Sequence, residues 1–354
     1  MKVSHRRALR GMTLALALSP CAFHAGPAVA DKVSADKVSE FYSGKRLTFL
    51  VGFSPGSAFD VYGRAVSRHF SKFVPGKPDI LIQNMPGAGG ISSAAYLYNI
   101  APKDGTMIGV FSRSTPMEPL LGNSSVKFDP TRFTWIGSAG REVSVCVANA
   151  TAGIQSWDDV TKREFVVGAS SLSADTGVFA TVLKNAFGAK MRIVTGYPGG
   201  NEITQAMENR EIDGRCGWSW SAIESSRPSW VKEGTIKVLL QLGLEPSAKL
   251  KDVPLVMDLA KTDRERQILK LVFARQDFAW PFAAPPDVPA DRAQALRQAF
   301  LATLADPEFL TEAARLSLDV SSPTSGEKLD VLIKDIYASP PEVIEQVKAV
   351  MNAK

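Results

Sequence analysis

The first stretch that could do chemistry is Gly52-Phe53-Ser54-Pro55-Gly56, a match to G-x-S-x-G. The apolar run RLTFLV precedes it and reads as a strand. DVYGRAVSRHF follows and reads as a helix. Strand, G-x-S-x-G, helix is the setting of a hydrolase nucleophile elbow. Such an elbow needs a base, an orienting carboxylate and an oxyanion hole. With residues 1–30 set aside, His69 is the only histidine in the chain. It lies about ten residues into the helix, or ~15 Å along its axis, against a hydrogen-bond reach of about 3 Å. It also precedes its partners in the chain, where the elbow order puts histidine last. Pro55 follows Ser54 and has no N–H to give an oxyanion. A nucleophilic Ser54 is therefore set aside, and His69 reads as a surface helix residue.

Metal and nucleotide chemistry fail on the same inventory. One histidine and two distant cysteines offer no zinc spacing, and no glycine-rich loop ends in G-K-[ST]. Asp158-Asp159 reads as a solvated helix face. No catalytic residue, metal or cofactor is expected.

The same loop can hold an anion without reacting with it. A strand-to-helix turn presents free N–H groups at the positive end of a helix. The small residues of SPGSAFD let a ligand approach the backbone, and Asp60 is at least a cap. NMPGAGG, residues 84–90, repeats the arrangement between the strand DILIQ and the helix ISSAAYLYN. Pro86 stiffens that turn, and Gly87, Gly89 and Gly90 open its backbone. On adjacent parallel strands both loops fall at one sheet edge, forming paired jaws of N–H donors suited to a carboxylate. Other strand ends supply further candidates: Ser112, Arg113 and Ser114, with Arg113 free to meet a second carboxylate. Ser170, Ser171, Ser173 and Thr176 follow another strand. Trp218 and Trp220 alternate with Ser219, so one face of that segment could bring indoles to a cleft and favour an apolar or aromatic ligand.

These segments sit in a regular alternation of strands and helices over 354 residues, with 45% hydrophobic and 22% charged residues. That alternation implies an α/β fold with mainly parallel sheets, and the length allows two lobes with a ligand cleft at strand carboxyl ends. The formal charge is +5. Four of the five are Lys2, Arg6, Arg7 and Arg10, so the rest of the chain has no basic excess to suggest a nucleic-acid partner. MKVSHRRALR, an apolar stretch and AVA at 28–30 read as an export signal cut near Ala30. Arg6-Arg7 fits a twin-arginine signal poorly. LSPC has Pro20 where a lipoprotein site wants a small residue. Residues 31–43 read as a short leader. Cys146 and Cys216 remain after the cut and read as two separate buried thiols, with a bridge left open.

Over nearly its whole length beyond the signal, the chain resembles the substrate-binding proteins of tripartite tricarboxylate transporters, the Bug or TctC-like family. The resemblance rests on LTFLVGFSPGSAFDVYGR, QNMPGAGG, APKDGTMIG, KFDPTRFTWIG, YPGGNEITQAMENREIDG and FAAPPDVPADRAQALRQAF. It implies a two-lobed (type II-like) periplasmic binding protein that acts as a monomer, its partners being a small carboxylate and membrane permease subunits. Lobe 1 would be 31–142 plus 245–354 and lobe 2 would be 143–244, hinged near 140–145 and 240–245. It implies that Phe53, Ser54, Gly56, Ser57, Ala58 and Asp60 grip one carboxylate together with Pro86, Gly87, Ala88 and Gly89. Arg113, Ser170, Ser171, Thr176, Trp218 and Ser219 would complete the pocket. The chain departs from the family in having Gly56-Ser57 where paired glycines are usual, followed by bulky Phe59. Rival uses are presentation to a sensor kinase, an ABC importer, and a secreted hydrolase.

Overall fold

The computed structural model describes residues 27–352, apart from residues 54, 124, 125, 171, 173 and 198. Eleven strands form among them: β1 Arg46–Val51, β2 Asp79–Asn84, β3 Met107–Val110, β4 Thr134–Ser138, β5 Ser144–Asn149, β6 Phe165–Gly168, β7 Met191–Val194, β8 Gly214–Ser219, β9 Ile236–Leu242, β10 Pro281–Ala284 and β11 Thr324–Ser325. The α-helices are α1 Pro27–Tyr42, α2 Ala58–Phe70, α3 Ile91–Asn99, α4 Trp157–Lys162, α5 Asp175–Phe187, α6 Gly200–Glu208, α7 Trp220–Ser226, α8 Pro228–Lys232, α9 Asp263–Phe273, α10 Ala290–Ala305, α11 Pro307–Arg315, α12 Gly326–Tyr337 and α13 Pro341–Asn352.

The strands make two sheets, ordered β11-β4-β10-β3-β1-β2 and β7-β6-β8-β5-β9. The α/β, two-sheet reading therefore holds, but both sheets are mixed. β2-β1-β3 and β7-β6-β8 are parallel, whereas β10 runs against β3 and β4, and β5 runs against β8 and β9. The reason is connectivity. The chain leaves the first sheet after β4 and returns as β10, and each crossing inserts a strand against the local direction. The central strands have helices on both faces and so are apolar throughout; β3, MIGV, is buried at every residue.

α2 shows how the local sequence shapes the cleft. Ser57 caps it, its hydroxyl accepting from the N–H of Asp60. Tyr62, Ala65, Val66 and Phe70 then recur on one face and are buried. Phe70 meets Phe49 of β1 edge-on at 5.3 Å between ring centres. The helix closes at Ser71 in a short 3-10 turn.

Two expectations need correction. The leader is helix α1, which packs on α10; Tyr42 at its end is fully buried and donates to the carbonyl of Gly105. A cut near Ala30 would fall within its first turn, while residues 1–26 lie outside the described residues. Cys146 and Cys216, on neighbouring strands β5 and β8, are joined as a disulfide rather than left as separate thiols. The last helix, α13, packs on α5 and α9, so the chain's end lies against the helix layer of the second sheet. No described helix is long and apolar enough to cross a membrane.

Candidate ligand cleft

A cavity of about 670 Å3 opens at the carboxyl ends of β1 and β3 and the amino ends of α2 and α5. Its volume lies within the usual range of small-molecule pockets. Phe53, Ala58 and Phe59 line it from the first loop, Ala88 and Ile91 from the second. Ser112 to Thr115 and Glu118 follow β3; Ser170 and Ala174 to Thr176 follow β6; Trp280 precedes β10.

The first loop is organised from beneath by Asp60. This side chain is almost wholly buried and accepts from the Gly56 N–H at 2.8 Å, from Arg64 Nε at 2.8 Å and from Asn84 Nδ2 at 2.8 Å. Asn84 also donates to the carbonyl of Phe53, tying the end of β2 to the loop after β1. Burial opposes ionisation of Asp60, but the Arg64, Asn84 and Gly56 donors outweigh it and hold the carboxyl below its usual range. Asp60 and the Gly56 N–H are thus spent on shaping the loop. Ser57 is spent on capping.

The second loop is shaped by backbone that side chains rarely tolerate. Gly87 has φ 153°, Ala88 φ 46° and Gly90 φ 97°. A Cβ on Gly87 would come within 2.6 Å of the Ser92 hydroxyl. The Gly87 carbonyl accepts from the N–H of Gly90. Below it, Gly52 lets the end of β1 meet α3, since a Cβ there would lie 2.4 Å from Ser93 Oγ.

What remains free is informative. Among the described residues, the N–H groups of Ala58 and Phe59 in the first turn of α2, and of Ala88, have no acceptor. Thr115 Oγ1 is buried without a partner. α2 and α5, each of 13 residues, both begin at the cavity. Two helix starts and unspent N–H donors give the cavity a positive bias without a free cationic side chain.

Arg113 does not stand ready for a ligand carboxylate. Its Nε donates to Asp175 Oδ2 at 2.7 Å, with Nη2 at 2.5 Å, which joins the loop after β3 to the start of α5. Arg275, 2% exposed, meets Asp175 Oδ1 at 3.4 Å and Ser114 Oγ at 3.2 Å. Burial raises the cost of ionising Asp175, but the two guanidinium groups overcome it and hold the carboxyl below its ordinary value. Burial pulls Arg275 below its own.

Of the other expected site residues, Ser170 and Thr176 line the cavity, and Thr176 Oγ1 accepts from the Ser170 N–H at 3.2 Å. Pro86 and Gly87 support the second loop without lining the cavity, and Gly89 is part of its short 3-10 turn. Ser54, Ser171 and Ser173 lie outside the described residues. Trp218 and Ser219 are not in the cleft. The strand ends at Ser219, and Trp220 begins α7, so the alternation stops there. Trp218 is buried, edge-on to Trp230 at 6.0 Å, with the Arg215 guanidinium over its face at 4.6 Å. Burial pulls Arg215 down to about 9. Trp220 lines a smaller cavity of about 300 Å3 where the chain crosses between sheets. The residues that sequence reading missed are Phe59 as a lining group, Asp175 and Trp280. Trp280 carried no local signal, because a residue just before β10, late in the chain, reaches this cleft only through the return crossing.

His69 is bound elsewhere, its Nε2 2.8 Å from Glu312 Oε2 on α11. His69, Asp306 and Glu308 bring ligand atoms within 4.8 Å of one another. Lys72 already meets Asp306 at 3.0 Å and Glu308 at 3.3 Å, and its ammonium opposes a metal there.

Glu142 is buried beside the crossing, its Oε2 accepting from Ser221 Oγ at 2.7 Å. Burial pushes its carboxyl up, against the Ser221 hydrogen bond and the Arg113 charge; Asp319 adds to the rise. A raised folded value means that ionisation costs stability as pH climbs through it. Glu142→Gln is therefore expected to raise the melting temperature above about pH 6, with the gain vanishing below about pH 4. Melting curves over that range check it.

No protein-family model matches the chain, and no curated protein matches it. Solved structures do. A ligand-free TctC solute-binding protein from Polaromonas aligns with TM-score 0.67 at 16% identity, covering 88% of this chain and 99% of that one. The periplasmic binding protein BugD aligns at 0.62 and 18%, covering 87% and 98%. MatC from Rhodopseudomonas palustris with bound malate aligns at 0.60 and 19%, covering 86% and 99%. The class that these likenesses define is one of fold: the chain has the two-sheet α/β fold shared by the TctC, BugD and MatC structures.

Proposed function

We propose that the protein is a periplasmic receptor that captures a small organic carboxylate and delivers it to a membrane permease of the tripartite tricarboxylate type. The reading is carried by the unspent N–H groups of Ala58, Phe59 and Ala88, which meet at one cavity with the starts of α2 and α5. The carboxylate takes these donors, and the buried Thr115 hydroxyl adds one more. Lobe 1, 31–142 plus 245–354, and lobe 2, 143–244, close by bending near 140–145 and 240–245, with α13 travelling against lobe 2. Closure excludes water and strengthens each hydrogen bond. No bond in the solute is made or broken. The malate-bound MatC and an R. palustris protein of the same fold with adipate support a carboxylate as the solute class.

Thermal unfolding with a panel of mono-, di- and aromatic carboxylates tests the proposal. A true ligand at 100 times its Kd adds about 2.7 kcal/mol of stability. Stabilisation by no carboxylate, with turnover of an ester, would return the assignment to a hydrolase.

A further inference from the structure

Resting on that reading, we propose that the solute is a monocarboxylate with a flat aromatic body, rather than a di- or tricarboxylate. The first observation is an aromatic wall. Phe53 stacks on Phe59 at 4.6 Å and 15° between planes, and Phe59 leans on Trp280 at 5.1 Å. Tyr62 stacks behind Trp280 at 4.0 Å and 15°. Phe53, Phe59 and Trp280 all line the cavity, with Ile91 and Ala88 beside them. Tyr62 is held by the backbone of Asp319, accepting from its N–H at 3.0 Å and donating to its carbonyl at 3.2 Å. The wall is therefore braced from behind, and a rigid aromatic surface selects flat partners by stacking or edge contact.

The second observation is charge. Arg113 is the one cationic side chain among the described lining residues, and Asp175 already takes two of its nitrogens. Glu118 and Asp175 add negative charge to the same lining. Backbone donors can neutralise one carboxylate, but a second would enter beside those carboxylates with no uncommitted cation to meet it. Phe59, which stands where a small residue would leave room, completes the apolar side.

The test is titration calorimetry on the mature chain with benzoate, phenylacetate, malate, adipate and benzyl alcohol. Either aromatic acid should bind at least about tenfold tighter than malate and adipate, and Phe59→Leu, which keeps the Phe59 N–H, should weaken the aromatic acids about tenfold more than it weakens malate. Malate or adipate binding tighter than both aromatic acids overturns the inference and leaves the carboxylate receptor standing. Benzyl alcohol binding as well as benzoate overturns the carboxylate reading itself. Binding by none of the five, or equal weakening of all by Phe59→Leu, overturns the inference.

Discussion

Asp175→Asn is expected to cost about 3 kcal/mol or more of unfolding free energy, the largest loss from any single polar change near the cleft. The substitution keeps the volume, so no cavity penalty is mixed in. It removes the one negative charge shared by Arg113 and Arg275. Arg275 is 2% exposed and cannot reach water without opening the structure. Arg113 and Asp175 keep slight access to solvent, which puts the effect at the lower end of the range for a broken buried pair. The pH dependence has a definite sign. Asp175 has a lowered folded value, so its contribution is complete above the ordinary carboxylate range and fades as pH falls through the folded value. The gap between the two proteins should be constant from about pH 6 to 8 and shrink below about pH 4. This is opposite to Glu142, whose penalty grows with pH. Denaturant midpoints across that range measure both. A loss under about 1 kcal/mol would mean that the ion pair joining the loop after β3 to α5 does not hold them.

Ala58→Pro should leave the fold intact and weaken carboxylate binding by about ten- to a hundredfold. Ala58 is the first residue of α2, where proline fits because its missing N–H has no helical partner. Ser57 before it has ψ 160°, the extended conformation that a following proline requires. The substitution therefore deletes one proposed ligand donor and little else. A hydrogen bond to a charged group is worth about 1.5–3 kcal/mol, which sets the expected factor. Calorimetry with the best ligand gives the affinity, and an unchanged melting temperature shows that α2 survives. Wild-type affinity in a folded Ala58→Pro protein would remove the start of α2 from the binding site.

Both predictions turn on groups that differ in how readily the chain discloses them. The loops after β1 and β2 were legible because their chemistry is local. A strand, a run of small residues, a proline or glycine turn and a helix all fall within 25 residues, from Arg46 to Phe70 and from Asp79 to Asn99. The glycine-dependent second loop follows from backbone sterics, which neighbouring residues decide, whereas the cap read at Asp60 is made by Ser57. The α/β class was legible for the same reason, from the spacing of apolar residues. Misreadings arose where the outcome depended on distant partners. Arg113 looked available to a ligand until folding brought Asp175, 62 positions away, within 2.7 Å of it. Asp60 looked like a site residue and is a brace beneath the loop. Trp218 and Trp220 suggested an aromatic cleft from strand alternation, but the strand stops at Ser219 and Trp218 turns into the core against Trp230.

By itself, then, the order of residues determined which short stretches become strands, turns and helix starts, and hence that two adjacent loops would fall at the starts of helices on one sheet edge. Only the tertiary structure decided which charges are already matched and which aromatic rings meet: Trp280 reaches Phe59 across more than 200 residues of chain. Backbone donors are set by local dihedral angles, whereas the neutralisation of a side chain and the packing of a ring depend on whatever the rest of the chain brings alongside.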